Sequence, residues 1–137
     1  MISVARKVRT LLTVGAFAGF YFGAAILSWI CLPLLERRGA SRADRALRSQ
    51  ALVRQAFILF HDFMRVCRLI HFDPRRVDLQ LPEGPCVVVA NHPTLIDVTA
   101  LIAAGGPMCA VVKPDLSNSF AFGRLLHHCW HIQSPPE

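Results

Sequence analysis

The longest run of apolar positions in the chain covers residues 11–35 and is interrupted only by small or weakly polar side chains. Because about 20 apolar residues are enough to cross the hydrocarbon of a bilayer, this length predicts a membrane helix. Tyr21 and Trp29 are residue types that favour the membrane interface. A cleaved signal peptide is the alternative, but the run is long for that role and ends in Pro-Leu-Leu-Glu-Arg-Arg, a poor cleavage site. We therefore expect an uncleaved anchor over residues 1–38.

Basic residues flank this anchor on both sides, so the positive-inside rule does not orient it. Three of them lie between residues 6 and 9, and five arginines lie between residues 37 and 48. A simple span would separate the two groups. A helix that enters and returns within one leaflet, broken near Gly15, Gly19 or Gly23, would keep them on the same side. The sequence leaves both topologies open.

A second pattern, over residues 51–70, repeats polar and apolar side chains at helical spacing. One face of the predicted helix is aliphatic and aromatic, and the other carries Arg54, His61, Asp62, Arg65 and Arg68. Such a helix either packs into a protein core or lies on a membrane surface. Because residues 39–72 are rich in arginine and follow the anchor directly, we favour the membrane surface.

Beyond residue 72 the pattern changes to short β-branched runs separated by proline and glycine. Continuous β-branched runs are typical of strands buried on both faces of a mainly parallel sheet. The expected elements are a short exposed strand at 77–81, buried strands at 86–90 and 108–112, helices at 98–104 and 119–128, and an untethered end at 133–137. The predicted fold class is therefore α/β, with a membrane helix and an amphipathic helix followed by a partial sheet domain over residues 73–137.

The distribution of charge supports contact with lipid. Residues 1–76 contain 13 of the 15 Lys and Arg residues but only 4 of the 9 Asp and Glu residues. A basic segment that coincides with the apolar one favours anionic headgroups, and each nearby cation adds about 1 kcal/mol of attraction. Nucleic acid is not favoured, because the basic residues do not alternate with exposed aromatic side chains. The five cysteines are spaced singly, which predicts reduced thiols that act as packing residues.

Residues suited to acid–base chemistry follow the strand predicted at 86–90. The chain reads Asn-His-Pro-Thr-Leu-Ile-Asp over residues 91–97, which puts His92 at the carboxyl end of a strand, a common place for function in α/β folds. If the turn folds back, Asp97 can hold one ring nitrogen of His92 and leave the other as a base. Thr94 and Asp97 also have the spacing of a capping box, so the residues alone leave open whether Asp97 orients the histidine or only caps the next helix.

The wider sequence resembles the glycerolipid acyltransferase family, which includes the 1-acyl-sn-glycerol-3-phosphate (lysophosphatidic acid) acyltransferases. Val-Val-Val-Ala-Asn-His-Pro-Thr-Leu-Ile-Asp at 87–97 is similar to the first signature block of that family. Met-Cys-Ala-Val-Val-Lys-Pro-Asp at 108–115, with a Phe-Gly further on, is similar to the next segment. An anchor followed by an amphipathic helix is similar to the two-helix membrane motif of the family. The resemblance ends near residue 132, before the family's downstream phosphate-binding block.

This resemblance implies acyl transfer at the cytosolic face of the cytoplasmic membrane. His92 would take the proton from a lysophospholipid hydroxyl as it attacks the thioester of acyl-CoA or acyl-carrier protein, and Asp97 would orient the ring. Substrate contacts are expected from Asn91 and Thr94 in the turn and from Lys113. Lys113 ends the strand predicted at 108–112 and would lie at the same sheet edge as His92 if the two strands are parallel. No cofactor and no metal are expected, because the His-His-Cys-Trp-His segment is not paired with further ligands. The alternative is a catalytically inactive membrane-binding fragment of such an enzyme, and without the downstream block we expect near-background turnover.

Overall fold

The computed structural model describes residues 4–36, 41–77, 79–91 and 94–135. Within these ranges the chain is mostly helical with one small parallel sheet, so the predicted α/β domain is present only in part. The elements are α1 (Val4–Ile26), a π-helical turn (Leu27–Cys31), α2 (Leu32–Glu36), α3 (Arg42–Val66), a 3₁₀ turn (Pro74–Arg76), α4 (Leu95–Gly105), β1 (Val111–Val112), α5 (Pro114–Ser117), α6 (Gly123–His128) and β2 (Ile132–Gln133).

The predicted N-terminal helix is confirmed. Helical structure continues from Val4 to Leu35 over 32 residues, which corresponds to about 48 Å at 1.5 Å per residue. By length and composition this is the one helix among the described residues that could span a membrane. The alternative with a break near the glycines is wrong, because α1 runs unbroken through Gly15, Gly19 and Gly23. The only irregularity is the π-helical turn, where buried Ser28 donates a hydrogen bond to the Ala121 carbonyl oxygen at 2.6 Å.

Helix α3 begins earlier and ends earlier than the amphipathic pattern predicts. Ser41 is its N-cap and accepts a hydrogen bond from the Asp44 backbone N–H at 3.1 Å, which satisfies one of the free donors of the first turn. The helix packs against α1, α2, α4 and α6. Because α4 packs against the side of α3 predicted to be polar, His61, which lies on that side, is fully buried. Location of this helix at a membrane surface stays a prediction.

An aromatic cluster around Phe20 joins the N-terminal helix to the rest of the fold. The Phe20 ring lies 5.0 Å from Phe60 and 6.0 Å from Phe57, both on α3, measured between ring centroids. It lies 5.5 Å from Phe122, which immediately precedes α6. Buried aromatic pairs of this kind contribute about 0.5–1.5 kcal/mol each beyond the burial of their area. The cluster therefore couples α1, α3 and the start of α6 in one core.

The sheet differs most from the prediction. Residues 86–90 belong to no strand, and Val87 and Val89 are 90% and 91% exposed. The described residues of 77–81 form no strand either, and the strand at 108–112 shrinks to Val111–Val112. It pairs in parallel with Ile132–Gln133, part of which was expected to be untethered. A strand needs a hydrogen-bonded neighbour, and the described residues provide one for β1 but none for 86–90.

The connection between β1 and β2 passes through α5 and α6, so a βαβ unit is present. It begins at β1, which the prediction made the second strand of such a unit. The predicted helix at 98–104 is confirmed as α4, which begins three residues earlier. The helix expected at 119–128 is shorter, because residues 119–122 form turns before α6 begins. All five cysteines are free, with Cys129 buried and Cys86 and Cys109 exposed, so the latter two do not pack in the core.

Candidate active-site cleft

A cleft of about 460 Å³ lies between α3, α4 and the segments that precede and follow the 3₁₀ turn. Its volume falls within the usual range for small-molecule sites, about 300–1,000 Å³. Most of its walls are apolar. The lining residues are His61, Ile70, Phe72, Val77, Leu79, Ala90, Asn91, Ile96, Asp97, Ala100, Leu101 and Ala104.

Asp97 is brought to this cleft by the start of α4, where it occupies the third helical position. Its Oδ2 atom accepts two hydrogen bonds from Thr94, one from the backbone N–H at 2.9 Å and one from the hydroxyl at 2.8 Å. The predicted capping box is therefore confirmed. The cap holds the Asp97 carboxylate in one place at the edge of the cleft, and it places Thr94 in contact with that carboxylate.

The other predicted site residues are placed unequally. Asn91 lines the same cleft as Asp97. His92 lies outside the described residues, between Asn91 and Thr94 in sequence. Lys113 is exposed as the N-cap residue of α5 and is not among the described residues that line the cleft. Its predicted position beside His92 assumed that 86–90 is a neighbouring parallel strand, and that strand does not form.

His61 is the cleft residue that sequence reasoning missed. Its ring is fully buried, and its Nε2 atom lies 3.0 Å from the hydroxyl oxygen of Thr99 on α4. Burial lowers the pKa of His61 below its ordinary value of 6.5. A signal was present in the sequence, since the residues three and four positions before His61 and three after it are apolar, as expected for a buried helical position.

Ion pairs hold the segment after α3 against that helix, next to the cleft. Arg75 donates a hydrogen bond to Asp62 at 2.7 Å, and Arg65 donates one to Asp73 at 2.8 Å. The hydrogen bond from Arg75 lowers the pKa of the Asp62 carboxyl below its ordinary value. Single exposed pairs contribute about 0–1 kcal/mol, but these share partners and form a network. The network places the segment that contains Phe72 at the cleft wall.

The chemistry available in the cleft is that of a carboxylate and an amide in apolar surroundings. Such a site suits a ligand that combines an alkyl part with a polar reacting group. Buried Cys129 is not a candidate nucleophile, because burial raises the pKa of its thiol to about 12 and keeps it protonated near neutral pH. No group of three or more metal-ligating side chains is found in the described part of the chain. No protein-family model, curated protein or solved structure matches this chain.

Proposed function

We propose that this chain carries the reactive part of a membrane-attached glycerolipid acyltransferase, which moves a fatty acyl group to a hydroxyl of a lysophospholipid such as 1-acylglycerol-3-phosphate. The observation that carries the proposal is that Asn91 and Asp97, which flank His92 in the motif, line one largely apolar cleft. An apolar wall suits the alkyl chain of a lipid, and the polar edge suits its hydroxyl.

In the proposed reaction His92 acts as the general base. The hydroxyl oxygen of the acceptor attacks the carbonyl carbon of the acyl thioester while His92 takes the hydroxyl proton. The C–S bond then breaks, and the thiolate of CoA or acyl-carrier protein leaves and receives a proton. Asp97 stabilises the protonated ring and fixes its tautomer. A thioester is already activated, so positioning of the hydroxyl and the base supplies much of the rate.

The surroundings of the cleft support a lipid substrate. Helix α3, whose His61 lines the cleft, also packs against α1, the helix that could span a membrane. A cleft that shares α3 with the candidate membrane helix is well placed to receive an acceptor from the bilayer. Asn91 and Thr94 are proposed to contact the headgroup, although Thr94 already donates to Asp97. Within the described part of the chain Lys113 does not line the cleft, so any contact between Lys113 and the substrate would have to involve a part of the substrate that lies outside the cleft.

The test is acyl transfer by the full chain in mixed micelles, with lysophosphatidic acid as acceptor and acyl-CoA or acyl-carrier protein as donor. Turnover by this chain is expected to be low. His92→Ala should remove nearly all of the turnover that rises above background and leave membrane binding unchanged, because the base acts only on the chemical step. Asp97→Asn should reduce turnover less, since an amide still holds the ring but stabilises its cation poorly. An exposed histidine, His71, provides the matched control as His71→Ala.

Two outcomes would contradict the proposal. Unchanged turnover in His92→Ala would exclude His92 as the base. Background turnover of the unaltered chain with both donors, together with firm binding to vesicles, would favour the inactive membrane-binding alternative.

A further inference from the structure

Two consecutive hydrogen bonds connect α3 to the first turn of α4. His61 Nε2 lies 3.0 Å from Thr99 Oγ1, and Thr99 Oγ1 donates to the Ile96 carbonyl oxygen at 2.8 Å. A hydroxyl has a single proton. Since that proton goes to Ile96, Thr99 accepts from His61, and this network assigns the hydrogen of the His61 ring to Nε2.

Burial makes this connection specific. His61 and Thr99 are 0% and 2% exposed. The His61 ring sits edge-to-face between two aromatic rings, 5.8 Å from Phe60 and 5.4 Å from Phe72. Its other nitrogen, Nδ1, has no hydrogen-bond partner in the described ranges of the chain. A buried polar group that loses its partner destabilises the fold, so the Nε2 bond strongly restricts where Thr99 can lie.

The carbonyl at the end of the connection belongs to Ile96, the residue directly before Asp97. The turn that carries the Asp97 carboxylate is therefore held twice, by the Thr94 cap on its exposed side and by Thr99 and His61 on its buried side. Displacement of a reacting group by about 1 Å can cost about 10²-fold in rate. A restraint on this turn is therefore a restraint on the chemistry.

We propose that His61 is a positioning residue, which acts through Thr99 to hold the Asp97 carboxylate in place for its proposed role with His92. The proposal rests on the proposed function, in which Asp97 and His92 form a pair. His61 stands on α3, the helix that packs on α1. The hydrogen-bonded connection thus links α3, and through it α1, to the turn of α4 that carries Asp97.

The experiment measures the pKa of the His92 ring by NMR titration of the full chain, ¹⁵N-labelled, in detergent micelles. Asp97→Asn is the reference and should lower that pKa by about one unit, a tenfold loss of proton affinity, because it removes the charge that stabilises the cation. Thr99→Val removes both hydrogen bonds of the connection, and His61→Asn removes the one to Thr99. Each should lower the proton affinity of the His92 ring by about threefold or more. Thr99→Ser keeps the hydroxyl, and His61→Gln keeps a hydrogen-bond donor. Both variants should retain the pKa that the His92 ring has in the unaltered chain.

The outcomes separate the two proposals. If Asp97→Asn leaves the pKa of His92 unchanged, the Asp97–His92 pair of the proposed function is wrong. If Asp97→Asn lowers it but Thr99→Val does not, the pair stands and the positioning role of His61 is overturned. The ¹⁵N spectrum of the His61 ring in the unaltered chain gives a second check, which does not depend on whether any variant folds. A hydrogen on Nδ1 of His61 instead of Nε2 would also overturn the role.

Discussion

Asp97 accepts both hydrogen bonds from Thr94 on one carboxylate oxygen, Oδ2. A carboxylate used in this way can serve as a helix cap and still present its second oxygen to a neighbouring donor. The structural and catalytic interpretations of Asp97 are therefore compatible. His61, in contrast, is fully buried. One of its ring nitrogens is hydrogen-bonded to Thr99, and the other has no partner among the described residues.

The burial of His61 predicts a pH dependence of stability. The pKa of His61 is lowered in the folded chain, so below its ordinary value of 6.5 the unfolded chain binds more protons than the folded one. The free energy of unfolding should therefore be constant above about pH 6.5 as far as this group is concerned, and should fall as the pH decreases through that value. The Asp62 carboxylate opposes part of this effect.

His61→Gln should flatten this pH dependence while keeping the hydrogen bond to Thr99. Denaturant unfolding in micelles between pH 7.5 and 5 measures it, with exposed His71→Gln as the control that should leave the slope unchanged. Half-buried His131, whose pKa is also lowered by burial, contributes with the same sign and should account for a slope that remains. An unaltered slope in His61→Gln would contradict the burial seen here.

Between elements, the contacts of residues 119–124 with the N-terminal helix are the least expected feature. The Trp29 indole N–H donates to the Phe120 carbonyl oxygen at 3.1 Å, and the two rings stack 4.9 Å apart. The Arg124 guanidinium lies 4.8 Å from the centre of the Trp29 ring, close enough for a cation–π interaction. Trp29, predicted as an interface residue by type, thus also joins the π-helical turn after α1 to the segment that leads into α6, and Trp29 and Phe120 are 91 residues apart in the chain.

Two glycine substitutions test how closely these elements pack. A Cβ atom added at Gly123, at the start of α6, would lie 2.5 Å from the Ser117 carbonyl oxygen, whereas one added at Gly19 of α1 would meet no atom within 4 Å. Gly123→Ala should therefore destabilise the fold by about 1–3 kcal/mol. Gly19→Ala should be neutral or stabilise by up to about 1 kcal/mol, because alanine favours helix over glycine. Thermal unfolding in micelles should show a lowered Tm for Gly123→Ala and an unchanged or raised Tm for Gly19→Ala, and a destabilised Gly19→Ala would contradict the open space beside α1.

For the whole molecule, the outer face of the long helix decides whether the chain attaches to a membrane. Val14 and Phe22 are 62% and 70% exposed, so the protein itself does not cover them. Two such side chains in a continuous apolar helix favour contact with lipid. The arginines that follow the helix add attraction to anionic headgroups, and this part is weakened by salt.

The combined substitution Val14→Asp and Phe22→Asp should abolish retention in alkali-washed membranes. Each charge in the middle of a membrane helix costs about 2.5–3.5 kcal/mol, while both positions tolerate charge in a water-exposed structure. Val87→Asp, at a position 90% exposed and outside both predicted membrane segments, is the matched control and should leave retention unchanged. Persistent retention of the double variant, or full extraction of the unaltered chain by high salt alone, would contradict a hydrophobic anchor.

The sequence by itself determined the features that depend on neighbouring residues. The N-terminal helix follows from the length of one apolar run. The capping box of α4 follows from two residues three positions apart, although the helix begins three residues earlier than predicted, and the end of α4 follows from Gly-Gly-Pro. Each of these is set within one or two helical turns, so the residues concerned are visible together in the sequence.

Only the tertiary structure decided the features that depend on distant residues. The run at 86–90 has the composition of a buried strand, but strand formation requires a partner, and Val111 pairs with Ile132 instead. The burial of His61 required α4 to pack on the side of α3 that looked polar. Lys113 stands apart from the cleft for the same reason, because its expected position depended on a strand pairing that does not form. Pairing and packing join residues tens of positions apart, and local pattern carries no information about which surfaces will meet.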